Sequence, residues 1–370
     1  MSGIQFVKIE NGTVTIKFQS GLEISFETIW LRDHCRCTTC YHADTFQRAQ
    51  HLLNIPDSQI ADMKFDNEHV YVTWDDKHES VYKADFLEQF DYKTWVSKRK
   101  SKALLWRGDE IEKKISKVPL NDFLHTKNGA RDVFKSIRDY GIAMIENVEP
   151  TMKATEEVVT ALGGVQHTMF GGMWFVYVKP EHADTAYTNI ALAVHTDNTY
   201  FTEAAGLQIF HGMEHTNGTG GETILVDGFY GAKRLEVEFP DDYKFLTTFD
   251  VDAEFLEDGH HYNYTAPVII VDKMNEIRQI RFNVYDRTPM AFSSREECRT
   301  YYRALKNLSK YYEDPSHQWQ IKLQPGTVIA IDNFRVLHGR TSFTGDRVLC
   351  GSYVSRSDWL DKARNLQVTG

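Results

Sequence analysis

The chain has 370 residues, 42% apolar and 25% charged, and a formal net charge of −10. That length suggests two domains with ample apolar content for sizeable cores, and the acidic balance argues against a general nucleic-acid binder. No apolar run reaches the ~18–20 residues of a membrane span. The opening residues show neither a signal-peptide core nor an Arg-rich presequence, so the expected compartment is the cytosol, or the mitochondrial matrix if a presequence has been removed.

In chain order, Val14, Ile16 and Phe18 alternate, as do Leu22, Ile24 and Phe26, with Gln19-Ser20-Gly21 between them. This predicts a β-hairpin. Cys35, Cys37 and Cys40 then crowd three of the chain's five cysteines into residues 35–40. Thiols so close together rarely form an unstrained disulfide, but they suit a tetrahedral Zn²⁺ ion. The fourth ligand could be His34, His42 or His78. His78 is favoured because a second hairpin, HVYVTWDDKHESVY with Asp75-Asp76-Lys77 as its turn, can carry it over the cluster. Four protein ligands would make a closed, structural site. The expected organisation is a β-rich zinc domain over 1–96, a linker over 97–117 that includes the basic run from Ser97 to Lys102, and a second domain over 118–370.

That second domain opens with a helix in ARDVFKSIRDYG, where Val133, Phe134, Ile137 and Tyr140 fall at helical spacing and Gly141 ends it. A strand over 142–145 and a helix in TEEVVTALGG follow. From about Tyr187 short strands dominate: GLQIFHGM, ETILVDG, PVIIVD, IRQIRFNV, TVIAID and RVLCGSYV, with one helical insert around 294–312. The expected fold is mainly β, a sandwich or jelly-roll barrel. Asn217-Gly-Thr-Gly-Gly-Glu222 reads as a turn between strands, His260-His261 as a loop, and no Gly-x-Ser-x-Gly elbow is present.

Three His-x-acid triplets occur, about as many as chance supplies: His42-Ala-Asp44, His182-Ala-Asp184 and His195-Thr-Asp197. Only the third lies at the end of an apolar run. Residues i and i+2 of a strand face one side, so His195 and Asp197 can ligate together. Two imidazoles and a carboxylate are the set that leaves three positions open on Fe(II). His338, after the apolar strand and turn of PGTVIAIDNFRVLHGR, is the candidate third ligand. Arg347 begins the next strand and suits the far carboxylate of a dicarboxylate cosubstrate, and Thr223 can point into the barrel. Phe170, Trp174, Phe175, Tyr177, Tyr187 and Tyr353 offer rings for a quaternary ammonium, each worth ~0.5–2 kcal/mol.

The segments IWLRDHCRCTTCYH, DYGIAMIENV, DTAYTNIALAVHTDNTYF, GTGGETILVDGFYGA and IDNFRVLHGRTSFTGDRVLCGSY resemble the γ-butyrobetaine hydroxylase and trimethyllysine dioxygenase family of Fe(II)/2-oxoglutarate oxygenases, from about Ile24 to Arg364. The resemblance implies a double-stranded β-helix catalytic domain with flanking helices behind a small zinc domain. It implies His195, Asp197 and His338 as iron ligands, Arg347 with Thr223 on 2-oxoglutarate, and Cys35, Cys37, Cys40 and His78 on zinc. It places Phe170, Trp174, Tyr187 and Tyr353 in a trimethylammonium cage and Asn283 on the substrate carboxylate. Phe170 departs from the family's usual tyrosine. The resemblance also implies O₂ as cosubstrate, support by ascorbate, a small-molecule substrate and a homodimer, with no membrane or nucleic-acid partner.

DTAYT, GGETILVDGFYGA and LCGSY resemble the trimethyllysine branch more than the butyrobetaine one, and Asp184 offers a carboxylate to the α-ammonium that only trimethyllysine carries. The expected reaction is β-carbon hydroxylation of free Nε-trimethyllysine, the first step of carnitine synthesis. The alternatives are γ-butyrobetaine hydroxylation, a non-catalytic methyl-lysine-binding protein, and a zinc hydrolase built on the same triad.

Overall fold

The computed structural model describes residues 3–100, 102–178, 188–257 and 259–368. They divide into two compact units, residues 1–100 and 101–370. The first contains two three-stranded antiparallel sheets, Ile4–Glu10 with Thr13–Phe18 and Glu23–Glu27, and Ile60–Phe65 with His69–Trp74 and Glu79–Lys83. Both expected hairpins form, and each gains a strand that alternation had not marked. Their inward residues, Val14, Ile16, Phe18, Val70, Val72 and Trp74, share one core.

The expected linker over 97–117 is corrected by the structure. The basic run starts inside the helix Tyr92–Arg99, and from residue 102 the chain already belongs to the second unit. Trp106 is fully buried there with Ile111 and Ile115, and its indole N–H donates to the Tyr140 carbonyl at 2.8 Å. Isolated apolar anchors in a charged stretch carry no period, so composition alone misread them.

The second unit is mainly β with flanking helices. Its larger sheet has the order Met173–Val176, Asp346–Val354, Leu207–Thr216, Val328–Asp332, Ile142–Glu146 and Lys117–Pro119. Its smaller sheet has the order Leu192–His195, Val336–Arg340, Thr223–Asp227 and Gln318–Ile321. Alternation along the strands builds two layers. Leu207, Ile209, Val328 and Ala330 pack outward against the helices Lys127–Tyr140 and Met152–Leu162, while Gln208 and Phe210 turn to a cavity lined from both sheets. This is the arrangement of a double-stranded β-helix.

Three elements differ from expectation. Gly228–Glu238 and Pro240–Thr248 are helices, so the late helix Arg295–Glu313 is one of several. Two glycines early in the first lower its propensity, although Asp227 caps it and Pro240 opens the second. His260 and His261 begin a strand, not a loop: His260–Pro267 pairs with Asp250–Glu257 in a two-stranded hairpin.

Candidate active site

The cavity between the two sheets has a volume of about 480 Å³. His195 ends the strand Leu192–His195 and pairs directly across from His338 on Val336–Arg340. Their Nε2 atoms lie 3.3 and 3.5 Å from Oδ1 of Asp197. Cis ligands on an octahedral ion with ~2.1 Å bonds sit ~3 Å apart, so little adjustment would seat one. Both imidazoles are buried. The Nδ1–H of His195 donates to the Ala193 carbonyl at 2.8 Å, which leaves Nε2 as the lone-pair nitrogen facing the cavity. Burial lowers His338 to about 4. Burial alone would raise Asp197, but His338, His195 and the Tyr353 hydroxyl hold it down at about 2. His195 goes the other way: burial would lower it, but the Asp197 carboxylate holds it above its ordinary value, so a metal, which needs both imidazoles neutral, would displace a proton from that side.

Asp197 is held at both ends. Its backbone N–H donates to Asn333 Oδ1 at 2.8 Å, and Asn333 Nδ2 donates back to its carbonyl at 3.0 Å. Tyr353 Oη donates to Oδ2 at 2.8 Å, leaving Oδ1 toward the histidines. In sequence Asn333 read as a mere turn residue. Nothing local in the sequence marks a clamp on a residue so distant in the chain.

The strand Asp346–Val354 presents Arg347, Leu349 and Tyr353 to the cavity at period two. Arg347 is 6% exposed and forms no ion pair among the described residues. Burial first, and then the nearby Arg340, lower it to about 10, which still leaves a full cation at neutral pH. Gly221, at φ +74°, makes room for it: a Cβ there would come within 2.9 Å of Arg347 Cδ. Thr223 is buried, lines the cavity and lies opposite Arg340. Arg340 went unremarked in the sequence, yet it stands two residues beyond His338 on one strand, and the same period would have found it. Its Nη2 donates to the Thr188 and Ile190 carbonyls.

Phe170, Trp174 and Tyr353 line the cavity. Phe175 and Tyr177 do not, because alternation along Met173–Val176 turns them outward. Tyr187 and Asp184 lie outside the described residues, as does the His182-Ala-Asp184 triplet. Two further rings join the wall: Phe255 meets Phe170 edge-on at 5.9 Å and Tyr200 at 5.1 Å. Phe255 comes from the hairpin that sequence patterning missed. Asn283 lines the cavity, with its amide donating to Asp286 Oδ2 at 2.8 Å and to the Thr196 carbonyl at 3.4 Å, and its oxygen accepting from Tyr285 N at 2.9 Å. Asp286, also on the wall, was not singled out in the sequence.

The Trp174 ring rests on Gly351, where a Cβ would fall 1.8 Å from it. Gly351→Ala should therefore displace the ring and weaken binding of tetramethylammonium roughly 2- to 30-fold, the cation–π range of ~0.5–2 kcal/mol. Calorimetry measures this, and an unchanged affinity would exclude Trp174 as a wall.

In the first unit Cys35, Cys37, Cys40 and His78 come together. His78 Nε2 lies 3.3, 3.7 and 3.7 Å from their sulfurs. Tetrahedral Zn²⁺ with its usual N and S bond lengths sets ligands ~3.4–3.8 Å apart, so the donors fit zinc. Lys77, at φ +67°, turns the hairpin, and Asp76 Oδ1 accepts from His78 N at 2.9 Å. The other two candidates are elsewhere: His34 stacks on Trp30, and His42 sits exposed in a short strand. Burial pushes the Cys40 thiol up to about 11, and a bound cation would reverse that shift.

The model of the taurine catabolism dioxygenase TauD, TfdA family matches residues 103–353, and that of the γ-butyrobetaine hydroxylase-like N-terminal region matches residues 7–88. A mitochondrial trimethyllysine dioxygenase of Bos taurus is 37% identical over 92% of this chain and 82% of its own. The human one is 36% identical with the same coverage. A trimethyllysine dioxygenase of the yeast Meyerozyma guilliermondii is 31% identical over 97% of this chain and 94% of its own. Among solved structures, a putative α-ketoglutarate-dependent taurine dioxygenase from Burkholderia xenovorans superposes with a TM-score of 0.51 at 16% identity, covering 68% of this chain and 91% of that one; at that identity the likeness concerns the fold alone.

Proposed function

The chain belongs to the γ-butyrobetaine hydroxylase and trimethyllysine dioxygenase family of Fe(II)/2-oxoglutarate oxygenases, and from that membership we propose that it hydroxylates free Nε-trimethyllysine at its β-carbon, the first step of carnitine synthesis. The observation that carries this reading is a single cavity combining a two-histidine, one-carboxylate set with a buried guanidinium and aromatic walls. A non-catalytic reader of methyl-lysine has no use for the first two. A zinc hydrolase has no use for Arg347.

His195, Asp197 and His338 would hold Fe(II), which supplies oxygen activation coupled to the conversion of 2-oxoglutarate to succinate and CO₂. Arg347 binds the far carboxylate of the cosubstrate with paired hydrogen bonds, and Thr223 closes that end of the cavity. The rings of Phe170, Trp174, Tyr187 and Tyr353 hold the trimethylammonium head by its charge, which fixes one C–H toward the metal and keeps others away. Tyr353 has two tasks, since the hydroxyl that orients Asp197 belongs to a ring of the cage. Asn283 acts here largely by ordering the wall, because both its amide protons are engaged. Asp184 is our candidate partner for the substrate's α-ammonium.

Cys35, Cys37, Cys40 and His78 would hold a structural zinc in the N-terminal unit. Among the described residues no helix is long and apolar enough to cross a membrane. We place the enzyme in the cytosol as a homodimer, with the mitochondrial matrix as the alternative that the names of the bovine and human relatives favour.

The deciding experiment is iron- and ascorbate-supported turnover of 2-oxoglutarate with trimethyllysine and γ-butyrobetaine side by side. Wild type should prefer trimethyllysine. Asp184→Asn should lower kcat/KM for trimethyllysine roughly 10- to 150-fold, the loss of a charge-assisted hydrogen bond worth ~1.5–3 kcal/mol, and spare any residual γ-butyrobetaine turnover. A wild type that prefers γ-butyrobetaine, or a variant equally impaired on both, would overturn the substrate assignment.

A further inference from the structure

A second cavity, of about 270 Å³, lies in the catalytic unit behind the wall of the first. Its floor comes from the hairpin strand Asp250–Glu257 and the segment 281–284, and its rim from the helix Arg295–Glu313. The charge of its lining is one-sided. Arg281, Arg287 and Lys306 all contribute, and no aspartate or glutamate does.

Several cations of this unit are ion-paired. Arg303 pairs with Asp242, Arg278 with Asp272, Lys233 with Glu236. Among the described residues Arg281, Arg287 and Lys306 form no ion pair. Arg281 is the telling one, because it is 6% exposed. Its guanidinium donates to backbone carbonyls, including those of Thr199 at 2.6 Å and Ala266, and lies over the Tyr264 ring at 4.7 Å, so its hydrogen bonds are met but no carboxylate among the described residues pairs with it. The acid that acts on it, Asp250, is exposed and forms no ion pair with it. Burying a cation without a counter-ion carries a large desolvation cost, and an anion entering the cavity would offset it.

The rest of the lining is apolar: Val251, Val268, Phe282 and Leu305 face the same space. An engineered cavity of ~150 Å³ holds benzene, so this one has room for a small organic molecule. Inorganic phosphate would leave the apolar part unfilled. A neutral hydrocarbon would leave the charges unmet.

We propose that this cavity binds a small amphipathic anion, a carboxylate on a short apolar chain, with its head between Arg281, Arg287 and Lys306 and its body against Val251, Val268 and Leu305. The site is separate from the 2-oxoglutarate clamp, although the two cavities share Asn283. It is also not a substrate site, since cations line it and the proposed substrate carries two ammonium groups.

The test is calorimetric titration of the full-length, zinc-loaded protein with three probes: hexanoate, hexan-1-ol and inorganic phosphate. Hexanoate should bind at least tenfold more tightly than either of the others. Lys306→Glu should weaken hexanoate at least tenfold and Arg287→Gln at least threefold. Both positions are exposed, so neither change should disturb folding, and a melting curve of each checks this. Arg347→Lys should leave the hexanoate affinity unchanged, which distinguishes this cavity from the cosubstrate clamp. The proposal is overturned if the three probes bind alike, if no binding is detected, or if the loss follows Arg347 instead of Lys306.

Discussion

Asp197→Ala should abolish turnover while leaving about one zinc per chain in place. The substitution removes the only carboxylate of the three-ligand set, so iron would be left with two imidazoles. It also strips the Tyr353 hydroxyl of the carboxylate it donates to. The loss should exceed any produced in the cage, because a cage wall contributes positioning whereas a ligand decides whether metal is present. The zinc cluster draws its donors from residues 35–78 alone, so it should be untouched. Cys40→Ala is the reciprocal experiment. It should release zinc and lower the melting temperature, since a closed structural site contributes its metal-binding free energy to folding. Metal analysis after anaerobic iron loading, together with succinate formation, reads both variants. Substantial activity in Asp197→Ala would falsify the triad.

What the sequence made legible follows from the range of the signal. Hairpins in the first unit were readable because one face of each sheet is buried and alternation along Thr13–Phe18 and His69–Trp74 is clean. The thiol cluster was readable because its spacing has few other uses. The His-x-Asp triplet was not decisive alone, and position resolved it. His195 sits buried at a strand end opposite His338, whereas His42 is exposed on a two-residue strand.

Long-range arrangements were not legible. Asn333 grips a residue 136 positions away, and only folded geometry shows why an amide belongs there. The hairpin Asp250–Glu257 carries Phe255 to the cavity wall although its pattern, DVDAEFLE, is half acidic. Trp106 was lost in a charged segment that composition read as linker. In each case tertiary packing uses a residue whose neighbours in sequence argue for something else.

Arg347→Lys should raise the KM for 2-oxoglutarate roughly 10- to 150-fold and change that for the amine far less. Lysine keeps the charge but replaces a planar fork by a point, so at least one of two charge-assisted hydrogen bonds is lost, each worth ~1.5–3 kcal/mol. The setting sharpens the effect. Arg347 is buried, backed by the Phe343 ring at 5.5 Å and crowded against Gly221, so the guanidinium reaches the cavity along a path shaped to it. Arg340 cannot replace it, because its Nη2 is already committed to the carbonyls of Thr188 and Ile190. It also lowers the affinity of this corner for any second proton-bearing cation: Arg347 is already pulled down to about 10 by burial and by Arg340, and a lysine, starting from a lower pKa, would be partly neutral there near pH 8. Raising the pH from 7 to 8.5 should therefore widen the KM gap between variant and wild type, since the wild-type guanidinium stays charged across that range. Steady-state kinetics with each substrate varied in turn provides the measurement. Equal increases in both KM values would mean that the substitution had disturbed the barrel as a whole, and Arg347 would lose its assignment as the specific partner of 2-oxoglutarate.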